Sequence, residues 1–210
     1  MTKFKRVILN SGFLYGKTIL TVVISIFLSR FVLDGLGISD YGVYNVVGGV
    51  IGLMGFVTVT LSNSNTRFLA NAIGKNDPDY VVRVFAAIKK LTEKVVLYSV
   101  MGLLLAGVVF VNFILNIPQE RILAANMVYL CMVANTAYTI LTAPYSALLF
   151  AREKIGFLSA LETAEIISKL GIAYLVTFTT TDNLILYATL LLALSFINRT
   201  ILKRFCLKND

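Results

Sequence analysis

Four ionisable residues stand where an apolar chain offers them no water. Lys17 lies in the first long apolar run, and Glu162, Glu165 and Lys169 lie in the fifth. On a helix the last three share one face at three- and four-residue spacing, and Asn10, Thr21 and Ser25 share the face of Lys17. At a rise of 1.5 Å per residue, Lys17 is about 15 Å from Val7 and Glu165 about 13 Å from Gly156. Both runs start on the same side, so the two sets reach a similar depth. A charge there costs a few kcal/mol or more and faces a cavity or a partner. One reading is a structural ion pair, Glu165 with Lys169 in its own helix or with Lys17 across helices. The other is an aqueous path that binds an anionic headgroup or a coupling cation.

Further polar residues bear on that choice. Cys131, Asn135, Tyr138, Thr142 and Tyr145 form one stripe on the fourth run, with Pro144 as an expected kink. Such a stripe serves a polar interior or interhelical hydrogen bonding. Asn63, Asn65 and Arg67 close the second run, where a cluster of donors meets phosphate or simply ends a helix. Gly48, Gly52 and Gly55, beside Gly49, make a small-residue ridge expected to let another helix approach closely. With no strand before them, these glycines are not a dinucleotide fingerprint. The chain has no histidine, and no nucleophile–base set or metal-ligand spacing occurs in a loop. An enzyme, a cofactor and a metal site are therefore not expected. Cys131 and Cys206 have no paired spacing, so no disulfide is expected either.

The elements that position these residues follow from composition. Apolar residues make up 58% of 210 positions and charged ones 14%, with mean hydropathy +0.83. A soluble domain carries about 25% charged residues. Each crossing takes roughly 20 apolar residues, and the runs are too long and unalternating for a barrel. The expected fold is an all-α integral membrane bundle of about six spans, at 7–33, 41–66, 95–116, 122–150, 156–177 and 183–202. The first span, after Lys3, Lys5 and Arg6, lacks a small-residue cleavage site and reads as an uncleaved helix. Between the second and third spans, Asp77-Pro78 signals a helix start. A basic amphipathic helix over 78–94 follows, lying on the inner leaflet or packed on the bundle as a cap.

Fifteen of the nineteen Lys and Arg residues fall at the N-terminus, in 67–94, in 152–154 and in the tail from Arg199. Arg30 and Arg121 are alone on the other side. By the positive-inside rule both termini are cytoplasmic. The basic residues form no single patch or arm, so no nucleic-acid partner is expected.

The stretch from Leu28 to Gly49, and within it Leu36-Gly-Ile-Ser-Asp-Tyr-Gly42 above all, resembles the first hairpin of Wzx-type polysaccharide flippases. These exporters belong to the multidrug/oligosaccharidyl-lipid/polysaccharide (MOP) superfamily. The likeness continues through Asn65-Thr-Arg-Phe-Leu69, Gly74-Lys-Asn-Asp77, Asn116-Ile-Pro-Gln-Glu-Arg121, Ala143-Pro-Tyr145 and Ala151-Arg-Glu-Lys154. It implies transport of an undecaprenyl-diphosphate-linked glycan between leaflets of a bacterial inner membrane, for O-antigen or capsule synthesis. Lys17 and Lys169 would then contact the diphosphate–sugar, and Glu162 or Glu165 would pair or couple an ion. Asn10, Asn135, Tyr138 and Arg67 are the further lumen candidates. Family members have two related lobes, and this sequence resembles the first. It is expected to be a truncated lobe, a half-transporter pairing with itself or another chain, or an incorrectly ended sequence. Membrane lipids and glycan-assembly proteins are the other expected partners. A multidrug exporter of the same superfamily and a non-transporting scaffold remain open alternatives.

Overall fold

The computed structural model describes residues 3–179 and 182–208, with side chains from Tyr15 onward. Asn10 lies outside the described side chains. Every regular element is helical: α1 (Lys3–Gly52), α2 (Met54–Gly74), α3 (Pro78–Val109), α4 (Ile122–Ala151), α5 (Ile155–Val176) and α6 (Asn183–Lys208). A π-helical turn, Phe110–Ile114, and a 3-10 turn, Gln119–Arg121, join α3 to α4. Among the described residues, Tyr15–Gly52, Pro78–Ile114, Gln119–Ala151 and Asn183–Lys208 are long and apolar enough to cross a membrane. The chain is an all-α membrane protein.

The loop expected at 34–40 is a single-residue interruption. Gly37 adopts φ 76° and ψ 166°, a conformation essentially closed to residues with a Cβ. The two arms of α1 then pack on different neighbours. In the first arm Lys17 meets Glu162, Phe31 meets Tyr174 and Gly35 lies against Thr177, so this arm runs parallel to α5. In the second, Asp40 meets Arg121, Tyr44 meets Tyr187 and Gly48 touches Met132. The second arm therefore turns back and runs beside α4.

Two expected boundaries move. The span foreseen at 41–66 is divided at Leu53 between α1 and α2, where Gly48, Gly49, Gly52 and Gly55 weaken the helix. Its polar second half falls in α2 with Ser62, Asn63, Ser64 and Asn65, which lowers that helix's hydropathy. The amphipathic helix foreseen at 78–94 is not separate, because α3 runs unbroken from Pro78 to Val109. Asp77 caps it as expected, its Oδ1 accepting from Tyr80 N at 3.0 Å. A helix continuous with a span cannot lie flat on a leaflet. Burial of Ile88, Thr92 and Val96 and the Phe85–Tyr145 edge contact instead pack it against the bundle.

At the Gly37 end, polar bonds fasten three elements. Arg121 reaches Asp40 at 3.2 Å and Asp182 at 2.8 Å. Asn183 Nδ2 donates to Gly35 O at 2.8 Å, and Thr179 Oγ1 donates to Asn183 Oδ1 at 2.7 Å. Near the C-terminal end of α3, Gly107 packs tightly against α4. A Cβ there would stand 2.2 Å from the Tyr129 ring, whose hydroxyl donates to Leu103 O at 2.7 Å. Gly107→Ala is expected to lower the thermal unfolding midpoint of the detergent-solubilised chain, by the equivalent of about 2 kcal/mol of overpacking. Gly102→Ala, whose added Cβ meets nothing within 4 Å, should leave that midpoint unchanged or slightly raised.

Candidate functional site

The membrane-embedded charges form two pairs on α1 and α5, and an amide of α6 joins the second. Lys17 Nζ, on the first arm of α1, donates to Glu162 Oε2 of α5. One turn further along α5, Lys169 Nζ lies 2.7 Å from Glu165 Oε1. Asn198 Nδ2 of α6 donates to the other oxygen, Glu165 Oε2. Glu165 is the most enclosed of the four, its side chain 13% exposed against 33% for Lys169. The expected pairing is realised within α5, while the pairing across helices selects Glu162 rather than Glu165. Parallel packing of the first arm and α5 puts Lys17 level with Glu162, and Glu165 is already held by Lys169 and Asn198.

Lys169 also belongs to a polar groove of about 340 Å³, with Ser25, Ser29, Tyr41, Tyr44, Asn45, Asn135 and Tyr187 among its walls. Through Tyr44, Asn45 and Asn135 this groove adjoins a second, about 590 Å³, lined by Gly48, Gly52, Gly55, Thr58, Thr136 and Thr139. Asn135 Oδ1 is enclosed and has no hydrogen-bond partner among the described residues. The two arms of α1 and the start of α2 line one side, and α4, α5 and α6 supply the facing residues, so the Gly37 reversal helps to shape the trough.

The glycine ridge therefore has a different surrounding from the one expected. Nothing among the described residues closes on it: added Cβ atoms at Gly52 and Gly55 would meet nothing within 4 Å, and one at Gly48 only the end of Met132 at 3.7 Å. Its glycines keep the trough wide instead. The stripe on α4 also divides. Asn135 faces the trough, whereas Tyr138 stacks on Phe196 at 4.2 Å and bonds Thr200 across α6 at 3.0 Å. Thr142 donates to Tyr138 O at 2.9 Å, and Tyr145 is buried beside Phe85. Pro144 sits inside α4 without ending it. Arg67 is exposed on α2 and lines neither groove.

Sequence reasoning missed Asn198, Asn45 and Tyr44. Asn198 was legible as an amide in an apolar run, which needs a partner in lipid. Nothing in its spacing pointed to Glu165. Comparison of the chain with protein-family models, curated proteins and solved structures returns no significant match.

If Lys17–Glu162 is a net attraction, Lys17→Gln and Glu162→Gln will each destabilise, and the double variant will cost less than their sum. Thermal unfolding in detergent should give a coupling energy of about 1 kcal/mol. Strict additivity would show that the pair contributes nothing.

Proposed function

We propose that this chain forms one lobe of a flippase for lipid-linked saccharides, in the bacterial inner membrane with both termini cytoplasmic. The observation that carries the reading is the polar trough with Lys169 in its wall. A trough that sets amides, hydroxyls and an ammonium among apolar residues such as Leu28, Ile51 and Met132 offers partners to the hydroxyl-rich, anionic head of a glycan diphosphate lipid, which lipid tails cannot solvate. The likeness of residues 28–49 to flippase hairpins supports the same reading. Glu165, held between Lys169 and Asn198, tempers that positive charge. The chain acts alone, with a copy of itself, or with a second lobe that walls the open side of the trough.

An exporter of cationic drugs asks for an aromatic and acidic cavity. Tyr41, Tyr44 and Tyr187 supply aromatic walls, but the charged lining residue is Lys169. The balance of charge favours an anionic cargo. A scaffold role remains the competitor from a different class.

Complementation separates these. In a strain lacking the gene, wild-type chain should restore surface glycan, whereas Lys169→Gln and Glu165→Gln at equal membrane abundance should cut display several-fold. Full rescue by a Lys17→Ala, Glu165→Ala, Lys169→Ala chain would favour the scaffold and sink the transport reading.

A further inference from the structure

At the Gly37 end of the bundle one guanidinium serves two carboxylates. Arg121, in the turn before α4, lies 3.2 Å from Asp40 Oδ2 of α1 and 2.8 Å from Asp182 Oδ2, just before α6. The two acids stand in different surroundings. The Asp182 side chain is 37% exposed, and its Oδ1 accepts from Leu184 N at 3.2 Å. Asp40 is only 5% exposed, and its Oδ1 has no hydrogen-bond partner among the described residues. Within that set, its carboxylate rests on the longer Arg121 contact alone.

A buried carboxyl favours its neutral form unless opposite charge or hydrogen bonds hold the anion. The charged groups that face Asp40 are Arg121, of opposite sign, and Asp182, of like sign. Arg30 and Asp34 of α1 and Glu120 beside Arg121 are exposed, and among the described residues none pairs with Asp40. Two acids on one base leave one negative charge unbalanced. A proton arriving here removes that surplus and settles on Asp40, the acid with a bare oxygen and little water to solvate it.

What the proton changes is the hold on the second arm of α1. The first arm is fixed at its end, where Asn183 Nδ2 donates to Gly35 O and Gly35 lies against Thr177. Past Gly37, the ionic hold on the second arm is Asp40 with Arg121. Contacts further along that arm are apolar or aromatic: Tyr44 with Tyr187, and Gly48 with Met132. Tyr41, next to Asp40, and Tyr187, one turn past Asn183, both line the trough. The clasp therefore stands over one end of the trough.

We propose that Asp40 and Arg121 form a proton-operated latch at the Gly37 end of the trough. Ionised Asp40 ties the second arm to α4 and closes that end. Protonation weakens the tie, Arg121 stays with Asp182, and the arm swings about Gly37 away from α4. This end of the trough opens in acid and closes as the pH rises, whatever cargo the trough takes.

Spin labels report the swing. In a chain carrying Cys131→Ala and Cys206→Ala, nitroxides are attached through Val46→Cys on the second arm and Leu123→Cys on α4, positions 47% and 66% exposed. Pulsed electron resonance follows the purified chain in lipid nanodiscs from about pH 8 to about pH 4.5, into the range where carboxylates take up protons. The interspin distance should widen by several ångström as the pH falls. Asp40→Asn keeps the shape and removes the charge, so it should give the wide distance at every pH. Asp182→Asn leaves Arg121 to Asp40 alone and should move the transition to lower pH; it tests the latch independently if Asp40→Asn fails to fold. A constant distance over this range overturns the proposal. So does a transition that persists in Asp40→Asn, or one that Asp182→Asn leaves in place or moves upward. No transport is measured, so failure of the flippase reading leaves these outcomes intact.

Discussion

Hydrocarbon cannot solvate an ion, so each charge inside this bundle either meets an opposite charge or reaches a polar space. Apolar contact does little to choose one helix partner over another in lipid, since the tails are as apolar as the side chains. Polar bonds across helices carry more of that choice. Lys17 and Glu162 join α1 to α5, and Asn198 joins α6 to Glu165 of α5. At the opposite end Arg121 joins α4 to Asp40 of α1 and to Asp182 just before α6. Four helices are thereby placed around one another by a handful of ionic and amide bonds. The apolar core, centred on residues such as Val47, Val128 and Leu184, then fills the space they define.

That division of labour explains why the trough persists. Trough walls of threonine, asparagine and tyrosine would be poorly solvated by lipid, and the glycines of the second α1 arm supply no side chain to fill the gap. Lys169 is the point of contact between the two systems. Its ammonium neutralises Glu165 and at the same time borders the groove. A group shared in this way links what enters the trough to how α5 and α6 are held together.

Much of this architecture is legible in the residues. The apolar runs announce their helices, Asp77-Pro78 starts α3 as a cap should, and the spacing of Glu165 and Lys169 places them together. What escapes is whatever depends on a second element. Gly107 looks like any other glycine in an apolar run, and only the ring of Tyr129 makes it irreplaceable. The ridge of Gly48, Gly52 and Gly55 is the reverse: its spacing promises a close neighbour, yet whether one arrives depends on where α4 lies. Local polarity also misled the boundary at Val95. Lys89, Lys90 and Lys94 suggest a surface segment, but residues 78–94 contain no breaker after Pro78, so α3 continues through them. Lys17 found Glu162 rather than Glu165 because the first arm is parallel to α5 in a particular register, which no pattern in either helix encodes.

The reversal at Gly37 has a consequence for rotational phase. With one non-helical residue between the arms, there is no slack to absorb a change in length. Each residue of an α-helix advances its side chains by about 100° around the axis. Inserting or deleting one residue between Gly37 and Tyr44 would therefore turn the remainder of the second arm by that angle. Asn45, Gly48 and Gly52 would swing away from the trough, and their lipid-facing neighbours would swing in. The length of this short segment, as much as its composition, determines which face of the arm lines the trough.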